Sequence, residues 1–293
     1  MGDDKWKWKW VDSGKFTDEY CGKIGTKDTL MRREITRFQE SRQEKSAILD
    51  CLLLLDDAGM PKYLGDSSDR VVRVSSMVMR KLSGVHCTDS IEAIAVMKIP
   101  TSFHDVNDDQ VRANFQSLFP SPHRILVLDG IQDPGNLGTL LRSAMAFRWD
   151  GVFLLPGCCD PFNDKALRAS RGASFQLPIL SGDWAQLEIL RKEFHMKMLA
   201  GHPDCENQQL KKISSSLSRN LADSLVDKPV CLILGSEGQG LSEKSKHACN
   251  ELVSISMEGE FESLNVSVAG GIFLFMLKPE NNGTSTSDIL QHA

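Results

Sequence analysis

The chain has 293 residues, which is enough for one large domain or two smaller ones. Apolar residues make up 41% and charged residues 25%, as in ordinary globular proteins, and the formal net charge of −5 excludes a polycation. Any nucleic-acid surface must therefore be a local basic patch. The longest apolar stretch, Val268–Leu277, is too short for a membrane span. Met1–Trp10 resembles neither a secretory signal nor a transit peptide, so we expect a cytosolic protein, or an organellar one if the N-terminus is incomplete.

Cysteine spacing bears on metal binding and on the redox compartment. The eight cysteines form no C-x-x-C pair, which argues against a zinc site, and we expect no metal. Several stand in apolar runs, such as Cys51 before Leu52–Leu55 and Cys231 before Leu232–Leu234. This placement favours buried free thiols in a reducing compartment.

The part of the chain before residue 122 predicts a small α/β unit and a linker. Residues 1–26 show no periodicity and are expected to be irregular, and Lys27–Lys45 is charged and predicted to be helical. The domain is placed at residues 27–100 and the linker, rich in prolines at its ends, at residues 101–121. Within the domain we predict strands at Cys51–Leu55, Val71–Val74 and Ala93–Met97, and a helix at Ser75–Leu82.

Residues 122–279 alternate apolar strand-like runs with helical patterns. The predicted strands are Ile125–Leu128, Gly151–Leu155, Leu177–Leu180, Met196–Ala200, Pro229–Leu234 and Leu252–Met257. The predicted helices are Leu137–Phe147, Lys165–Arg171, Trp184–Phe194, Ser242–Cys249 and Leu264–Leu277. Because the strands show little polar alternation, this region predicts an α/β fold with a parallel sheet covered on both faces. Residues 280–293 are expected to form a disordered tail.

The first candidate motif runs from Asp129 to Arg142. A strand ends, a Pro-Gly turn follows, and a helix is predicted to begin near Asn136, which would be a good N-cap. Gly138 and Arg142 are four residues apart and so share a helical face. Glycine inside a helix costs about 1 kcal/mol relative to alanine. Room for a ligand and close helix packing explain Gly138 equally well.

The second candidate motif is a strand that opens into the loop Gly235–Gly240. Its glycines let a ligand approach the backbone closely, although a tight left-handed turn is the simpler alternative. The spacing G-x-x-G-x-G is not that of dinucleotide sites, which argues against a Rossmann oxidoreductase. Because Glu237 would repel a phosphate, the loop favours a neutral or cationic ligand.

The third candidate motif follows the strand that is predicted to end at Met257. Ser263 stands where a helix N-cap is expected, and capping the helix is a sufficient explanation for its hydroxyl. Asn265 falls in the first predicted turn, where an amide has little packing purpose and could contact a ligand. The free N–H groups of that turn can also hold polar ligand atoms.

Together the three motifs resemble the SpoU/TrmH branch of the SPOUT RNA methyltransferases. The pattern N-x-G-x-x-x-R is met by Asn136, Gly138 and Arg142, and the G-[SA]-E-G-x-G loop by Gly235–Gly240. Ser263–Ala269 meets the closing [ST]-L-N-V-S-x-A pattern, and Ala169–Pro178 is similar to the spacer between the motifs. The resemblance covers residues 122–279.

The resemblance implies a fold and a cofactor. In this family the C-terminal segment threads through a loop and forms a deep trefoil knot, a rare exception to unknotted topology. S-adenosyl-L-methionine lies bent in that knot. By position, the cofactor-binding residues would be Leu234, Gly235, Ser236, Gly238, Gly240, Ile255, Met257 and Leu264.

The resemblance also implies a reaction, which is methyl transfer to a ribose 2′-hydroxyl in rRNA or tRNA. The matching catalytic positions are Arg142, Asn136, Glu237, Ser263 and Asn265. Arg142 corresponds to an arginine often drawn as the general base. Because a guanidinium is almost never deprotonated, stabilisation of the developing charge is the simpler role. The family acts as homodimers, and Val268–Leu277 would contact either the partner or the core of its own subunit.

The region before residue 100 partly resembles the family's L30e-like RNA-binding domain. The match covers its later half, from Val71 through Gly84, Glu92–Val96 and Pro100, whereas the opening half has no counterpart. We therefore expect a smaller α/β domain before the SPOUT domain, with an opening half that is either diverged or shortened. This departure keeps one alternative open, a noncatalytic RNA-binding protein that retains the SPOUT fold, although all the matching catalytic positions are filled.

Overall fold

The computed structural model describes residues 19–24, 49–59, 70–83, 93–99, 103–105, 115–203, 213–259 and 263–279. The chain divides into two compact units, of which the first contains the described residues up to Ile99 and the second those from Phe103 onward. The helix predicted at Lys27–Lys45 and the tail at residues 280–293 lie outside the described residues. In the parts that are described, no helix combines the length and apolar content of a membrane span.

The first unit is a four-stranded sheet with one described helix. Its elements are β1 (Glu19–Ile24), β2 (Leu49–Leu55), β3 (Arg70–Val74), α1 (Ser76–Ser83) and β4 (Ala93–Lys98). The strand order is β1-β4-β2-β3, with β4 antiparallel to β1 and β2, and β2 parallel to β3. Leu53, Met79, Ile94 and Val96 are buried together and form a core for this unit.

Strand β1 corrects our prediction that residues 1–26 are irregular. It pairs with β4 along its whole length, from Glu19 opposite Lys98 to Ile24 opposite Ala93. The hydrogen bonds of a neighbouring strand determine this structure. A local pattern of apolar residues could not reveal it, because strand preference depends strongly on context.

The second unit is built on an eight-stranded sheet. Its strands are β5 (Phe103–Asp105), β6 (Arg124–Asp129), β7 (Gly151–Leu154), β8 (Ile179–Ser181), β9 (Lys197–Gly201), β10 (Ile213–Ser216), β11 (Val230–Gly235) and β12 (Glu251–Ser254). The order is β10-β12-β9-β11-β6-β7-β8-β5, and every pairing is parallel. The predicted parallel α/β architecture is confirmed.

Helices cover both faces of this sheet. They are α2 (Phe115–Leu118), α3 (Pro134–Ala146), α4 (Asp164–Ser170), α5 (Trp184–Glu193), α6 (Arg219–Asp223), α7 (Glu243–Ala248) and α8 (Val266–Met276). Alternate residues of β6 divide between two cores: Leu126 and Leu128 pack with α3 and α8, whereas Ile125 and Val127 pack with α5. Because both faces are buried, β6 reads as an unbroken apolar run.

The segment 101–121 that we predicted as a linker contains regular structure. Phe103–Asp105 forms the edge strand β5 beside β8, and Phe115–Leu118 forms α2. The Phe103 ring meets the Phe162 ring edge-on at 5.2 Å between centroids. Prolines at the ends of the segment suggested a linker. The structure of the segment instead depends on β8 and Phe162, which are distant in sequence and leave no local pattern.

A buried arginine fastens the carboxyl end of α8 to the start of β6. Arg124 Nε donates to the carbonyl of Leu277 at 2.6 Å, and Arg124 Nη1 donates to the carbonyl of Lys228 at 2.7 Å. Trp149 Nε1 donates to the carbonyl of Leu274 at 3.1 Å. These bonds fix the helix whose amino end carries the third motif.

Candidate functional site

The three motifs lie at one edge of the large sheet. Strand β6 ends at Asp129, β11 at Gly235 and β12 at Ser254, and each motif follows directly. Because these strands are all parallel, their carboxyl ends lie at the same edge. In open α/β sheets this edge is where ligands bind.

The helix of the first motif begins three residues earlier than the predicted Leu137. Helix α3 starts at Pro134, and its N-cap is Asp133, whose Oδ1 accepts from the N–H of Asn136 at 2.7 Å. Proline suits the first helical turn because the missing N–H is not needed there. The predicted capping role of Asn136 was therefore wrong. Its side chain instead donates from Nδ2 to Glu237 Oε1 at 2.9 Å and so links the first two motifs.

Gly138 is explained by close helix packing. A Cβ at this position would overlap the main-chain oxygen of Ala166 and lie 2.7 Å from the Cβ of Ala169, both in α4. The alternative of a ligand hollow at Gly138 is thus not needed. Arg142 lies one turn further along α3 and is exposed, and it makes no hydrogen bond or ion pair with any residue that the structure describes.

The second motif forms a compact turn. The N–H of Ser236 donates to the carbonyl of Gly240 at 2.9 Å, and the N–H of Gly240 donates back at 3.0 Å. A side chain at Gly235 would overlap the main chain of Gly240, which has a φ of +67°. The tight turn therefore accounts for these two glycines. Gly238 faces open space at the exposed tip, where it leaves room beside Glu237.

The third motif also differs in its cap. The N-cap of α8 is Asn265, whose Oδ1 accepts from the N–H and the hydroxyl of Ser267 at 2.9 and 2.6 Å. The predicted capping role of Ser263 was wrong, because the helix begins two residues later. Ser263 is exposed ahead of the helix. Because the Asn265 oxygen accepts both bonds from Ser267, the amide nitrogen, Nδ2, is on the side away from those bonds and is available to a ligand.

Several backbone groups at this edge are open to a ligand. Ile255–Met257 follow the end of β12, and their main-chain groups make no hydrogen bond to any residue that the structure describes. Leu234 is buried, whereas Leu264 is 39% exposed. Polar main-chain groups beside apolar side chains suit a heterocycle with an aliphatic tail.

The structure brings together only part of the predicted catalytic set. Asn136 and Glu237 are in contact, while no hydrogen bond within the described residues joins this pair to Arg142, Ser263 or Asn265. The assignments of these residues remain predictions. The described residues also contain no group of three or more His, Cys, Asp and Glu side chains arranged to hold a metal ion.

Three further residues at this edge were not predicted from the sequence to be site residues. Asp129 is buried at the end of β6, opposite the first residue of the glycine loop (Gly235–Gly240), and its Oδ2 accepts from the N–H of Ser242 at 3.0 Å. The Cys158 thiol donates to the carbonyl of Leu128, and burial raises its pKa to about 11. A Cβ at Gly201, at the end of β9, would lie 3.0 Å from the Leu234 side chain. The signal that could have found them is their position just at or after strand ends.

The segment that carries the three motifs matches the model of a known protein family. The model of the SpoU rRNA Methylase family matches residues 123–275, just over half of the chain. An uncharacterized tRNA/rRNA methyltransferase of Synechocystis sp. is 36% identical over 57% of this chain and 58% of its own length. The 23S rRNA (guanosine-2'-O-)-methyltransferase RlmB of Yersinia pestis is 32% identical over 52% of this chain and 57% of its own length. The chain thus spans less than two thirds of either protein.

A solved structure supports the fold over a longer range. The AdoMet-bound rRNA methyltransferase from Sinorhizobium meliloti superposes with a TM-score of 0.65 at 19% identity, covering 89% of this chain and 87% of that protein. At this identity the similarity establishes the fold alone. The family match, the parallel sheet and the ordered motifs at its carboxyl edge lead to one conclusion: the chain belongs to the SpoU rRNA methylase family.

Proposed function

We propose that this chain is an S-adenosylmethionine-dependent methyltransferase that modifies a ribose 2′-hydroxyl in rRNA or tRNA. The observation that carries the proposal is the 2.9 Å hydrogen bond from Asn136 to Glu237. It joins two motifs that are 101 residues apart in the sequence, at the sheet edge where the resemblance places the cofactor. The RlmB relative is named for the same class of reaction.

The residues at this edge fit the proposed cofactor. Gly235, Ser236, Gly238 and Gly240 form a wall that carries the carboxylate of Glu237, which suits a cationic sulfonium better than a phosphate. The main chain of Ile255–Met257, which makes no hydrogen bond to any residue that the structure describes, can hydrogen-bond an adenine edge. The exposed side chain of Leu264 can pack on its face, and the buried Leu234 can contribute main-chain atoms beside Gly235. When bound, S-adenosylmethionine supplies an electrophilic methyl group.

The other predicted residues would act on the ribose. Asn136 Oδ1 is left as an acceptor because its Nδ2 donates to Glu237, and Asn265 Nδ2 is left as a donor. With the Ser263 hydroxyl they can orient the attacking 2′-oxygen, and positioning alone supplies several kcal/mol. Arg142 would stabilise the negative charge that develops as the hydroxyl loses its proton.

We propose a homodimer built on the exposed face of α8. Val268, Ile272 and Phe275 are spaced by three or four residues along α8 and are 36 to 52% exposed, so they form one apolar stripe. A second copy of the chain can cover this stripe around a two-fold axis. The stripe begins one turn after Asn265, the N-cap of α8, which would bring the partner close to the site.

The trefoil knot and the L30e-like character of the first unit also stand as proposals. The proposal of a knot is supported by strand β11 lying between β6 and β9 and by α8 packing back on α3 after β12, an arrangement that a knotted path can have. In the first unit, Arg80 and Lys81 are exposed on α1 and could contact RNA phosphates. An experimental structure traced through residues 225–279 tests the knot, and the RNA affinity of Arg80→Glu/Lys81→Glu tests the contact.

The compartment stands as a proposal of the same kind, with the cytosol as the proposed location. Fluorescence of a tagged full-length protein tests it. A signal confined to an organelle would contradict it.

The decisive experiment for the function maps 2′-O-methyl groups in cellular RNA. We expect cells lacking the protein to lose the modification at a defined rRNA or tRNA nucleotide, and purified protein with S-adenosylmethionine to restore it. Unchanged methylation together with no cofactor binding in a calorimetric titration would favour the alternative, a noncatalytic RNA-binding protein.

A further inference from the structure

One buried carboxylate at the candidate site has no role in the proposed chemistry. Asp129 is the last residue of β6 and is only 9% exposed. In the sheet it stands opposite Gly235, the first residue of the glycine loop. A buried charge is costly unless it is hydrogen-bonded, so its partners indicate what it holds.

Both protein partners of Asp129 belong to the exit of that loop. Its Oδ2 accepts from the N–H of Ser242 at 3.0 Å and from the hydroxyl of Ser245. Ser242 is also the N-cap of α7, and its Oγ accepts from the N–H of Ser245 at 3.2 Å. The carboxylate therefore anchors the loop exit and the first turn of α7 at the same point.

This anchor completes a closed support for the loop. The entry, Gly235, is held by the pairing of β11 with β6, and the exit, Ser242, is held by Asp129. Between them, the loop is held by its own Ser236–Gly240 bonds, while Glu237 at the tip is exposed. The position of the Glu237 carboxylate thus depends on both ends being fixed to β6.

We propose that Asp129 is a positioning residue for methyl transfer. By holding Ser242 and Ser245, it fixes the glycine loop so that Glu237 remains hydrogen-bonded to Asn136. The inference rests on the proposed function, because it assigns a part in that same site. It goes beyond the predicted site residues, because the first motif begins at Asp129 but neither Asp129 nor its serine partners was assigned a role.

The test compares Asp129→Asn with Asp150→Asn. Asp150 is a matched control, because its Oδ2 also accepts two hydrogen bonds, from the N–H groups of His123 and Arg124 at 2.8 Å each, but at the amino end of β6. In the protein without cofactor, we expect amide hydrogen exchange over residues 235–241 to accelerate about tenfold in Asp129→Asn and to stay unchanged in Asp150→Asn. We also expect the Kd for S-adenosylmethionine to rise about tenfold in Asp129→Asn only.

A double-mutant cycle separates positioning from simple stabilisation. If Asp129 acts through Glu237, Asp129→Asn will lower kcat/KM strongly in the wild-type background and little in a Glu237→Ala background. Equal effects in both backgrounds would overturn the proposal, as would unchanged loop exchange and Kd. Should Asp129→Asn fail to fold, Ser245→Ala removes one of the two bonds and should give smaller changes of the same sign.

These readouts also distinguish this inference from the proposed function. Hydrogen exchange and the Kd do not require turnover. If the wild-type protein binds the cofactor but methylates no RNA, the proposed function fails while the role of Asp129 in positioning the loop is still tested.

Discussion

At the scale of single residues, two asparagine amides leave different atoms for a ligand, one an acceptor and the other a donor. Glu237 fixes the amide of Asn136 so that its oxygen is left as an acceptor, and Ser267 fixes Asn265 so that its nitrogen is left as a donor. A hydroxyl needs both partners, since it donates one hydrogen and accepts through its lone pairs. The two amides would therefore supply the acceptor and the donor that the proposed ribose 2′-hydroxyl needs.

Removing the carboxylate of Glu237 tests this arrangement. In Glu237→Ala we expect kcat/KM to fall at least about tenfold, because a hydrogen bond to a charged group is worth about 1.5–3 kcal/mol. Steady-state methylation kinetics measure the loss. Glu243→Ala is the matched control, since Glu243 is an exposed glutamate after the same loop and pairs with Lys246 instead. An equal loss in both variants would contradict the role of Glu237.

The buried thiol of Cys231 makes a second prediction at this scale. Burial raises its pKa from 9.0 to about 12, so the unfolded chain loses this proton at lower pH than the folded one. Because the folded state binds more protons above pH 9, this contribution to stability is present below pH 9 and is lost as pH rises toward 12. At pH 10 the loss is about 1 kcal/mol.

Urea unfolding at pH 8 and pH 10 measures this effect. The fall in unfolding free energy between the two pH values should be smaller in Cys231→Ala by about 1 kcal/mol. The comparison with wild type removes the contribution of other groups that titrate in this range. An identical fall in both proteins would show that burial of Cys231 does not shift its pKa.

At the scale of elements, the contact between α3 (Pro134–Ala146) and α4 (Asp164–Ser170) depends on one glycine. We expect Gly138→Ala to destabilise the fold by about 1–3 kcal/mol, because the added Cβ would overlap the Ala166 carbonyl. Gly271→Ala in α8 is the control: nothing lies within 4 Å of its added Cβ, so it should be neutral or stabilise by up to about 1 kcal/mol. Denaturant unfolding compares them, and equal stabilities would contradict this packing.

Elements buried on both sides were predictable from the sequence, whereas edge elements were not. Strands β6 (Arg124–Asp129) and β11 (Val230–Gly235) are continuous apolar runs, so their burial was visible in composition alone. Strand β10 (Ile213–Ser216) carries three serines and was missed. It forms beside β12, where the Ser215 hydroxyl donates to the buried carboxylate of Glu251. Such a partner, 36 residues away, leaves no local pattern.

The candidate site was predictable as a set of motifs but not in its bonding. The ordered motifs placed Asn136, Glu237 and Asn265 in segments that follow strand ends, and the parallel sheet explains why these segments share an edge. The caps were predicted wrongly because Asp133 and Asn265 competed with equally suitable neighbours for one position. Asp129 was missed because its role depends on Ser242 and Ser245, 113 and 116 residues away.

At the scale of the whole molecule, the apolar stripe on α8 (Val266–Met276) predicts a dimer. We expect wild-type protein to sediment as a dimer and Val268→Asp to sediment as a monomer, since a buried unpaired charge is unfavourable. Ile189→Asp is the control, because Ile189 is 53% exposed, much like Val268 at 52%, but lies on α5 (Trp184–Glu193). Analytical ultracentrifugation measures the masses. A dimer that survives Val268→Asp would exclude this face as the interface.

The most direct test of the account is the separation of methyl transfer from cofactor binding in Arg142→Ala. Transfer of a labelled methyl group from S-adenosylmethionine to RNA and the calorimetric Kd are measured together, with Arg191→Ala as the control, since Arg191 pairs with Glu188 at the end of α5 (Trp184–Glu193). We predict that Arg142→Ala abolishes labelling of the ribose 2′-oxygen with an unchanged Kd, and that Arg191→Ala keeps both. Methyl transfer by Arg142→Ala at the wild-type rate would contradict the account.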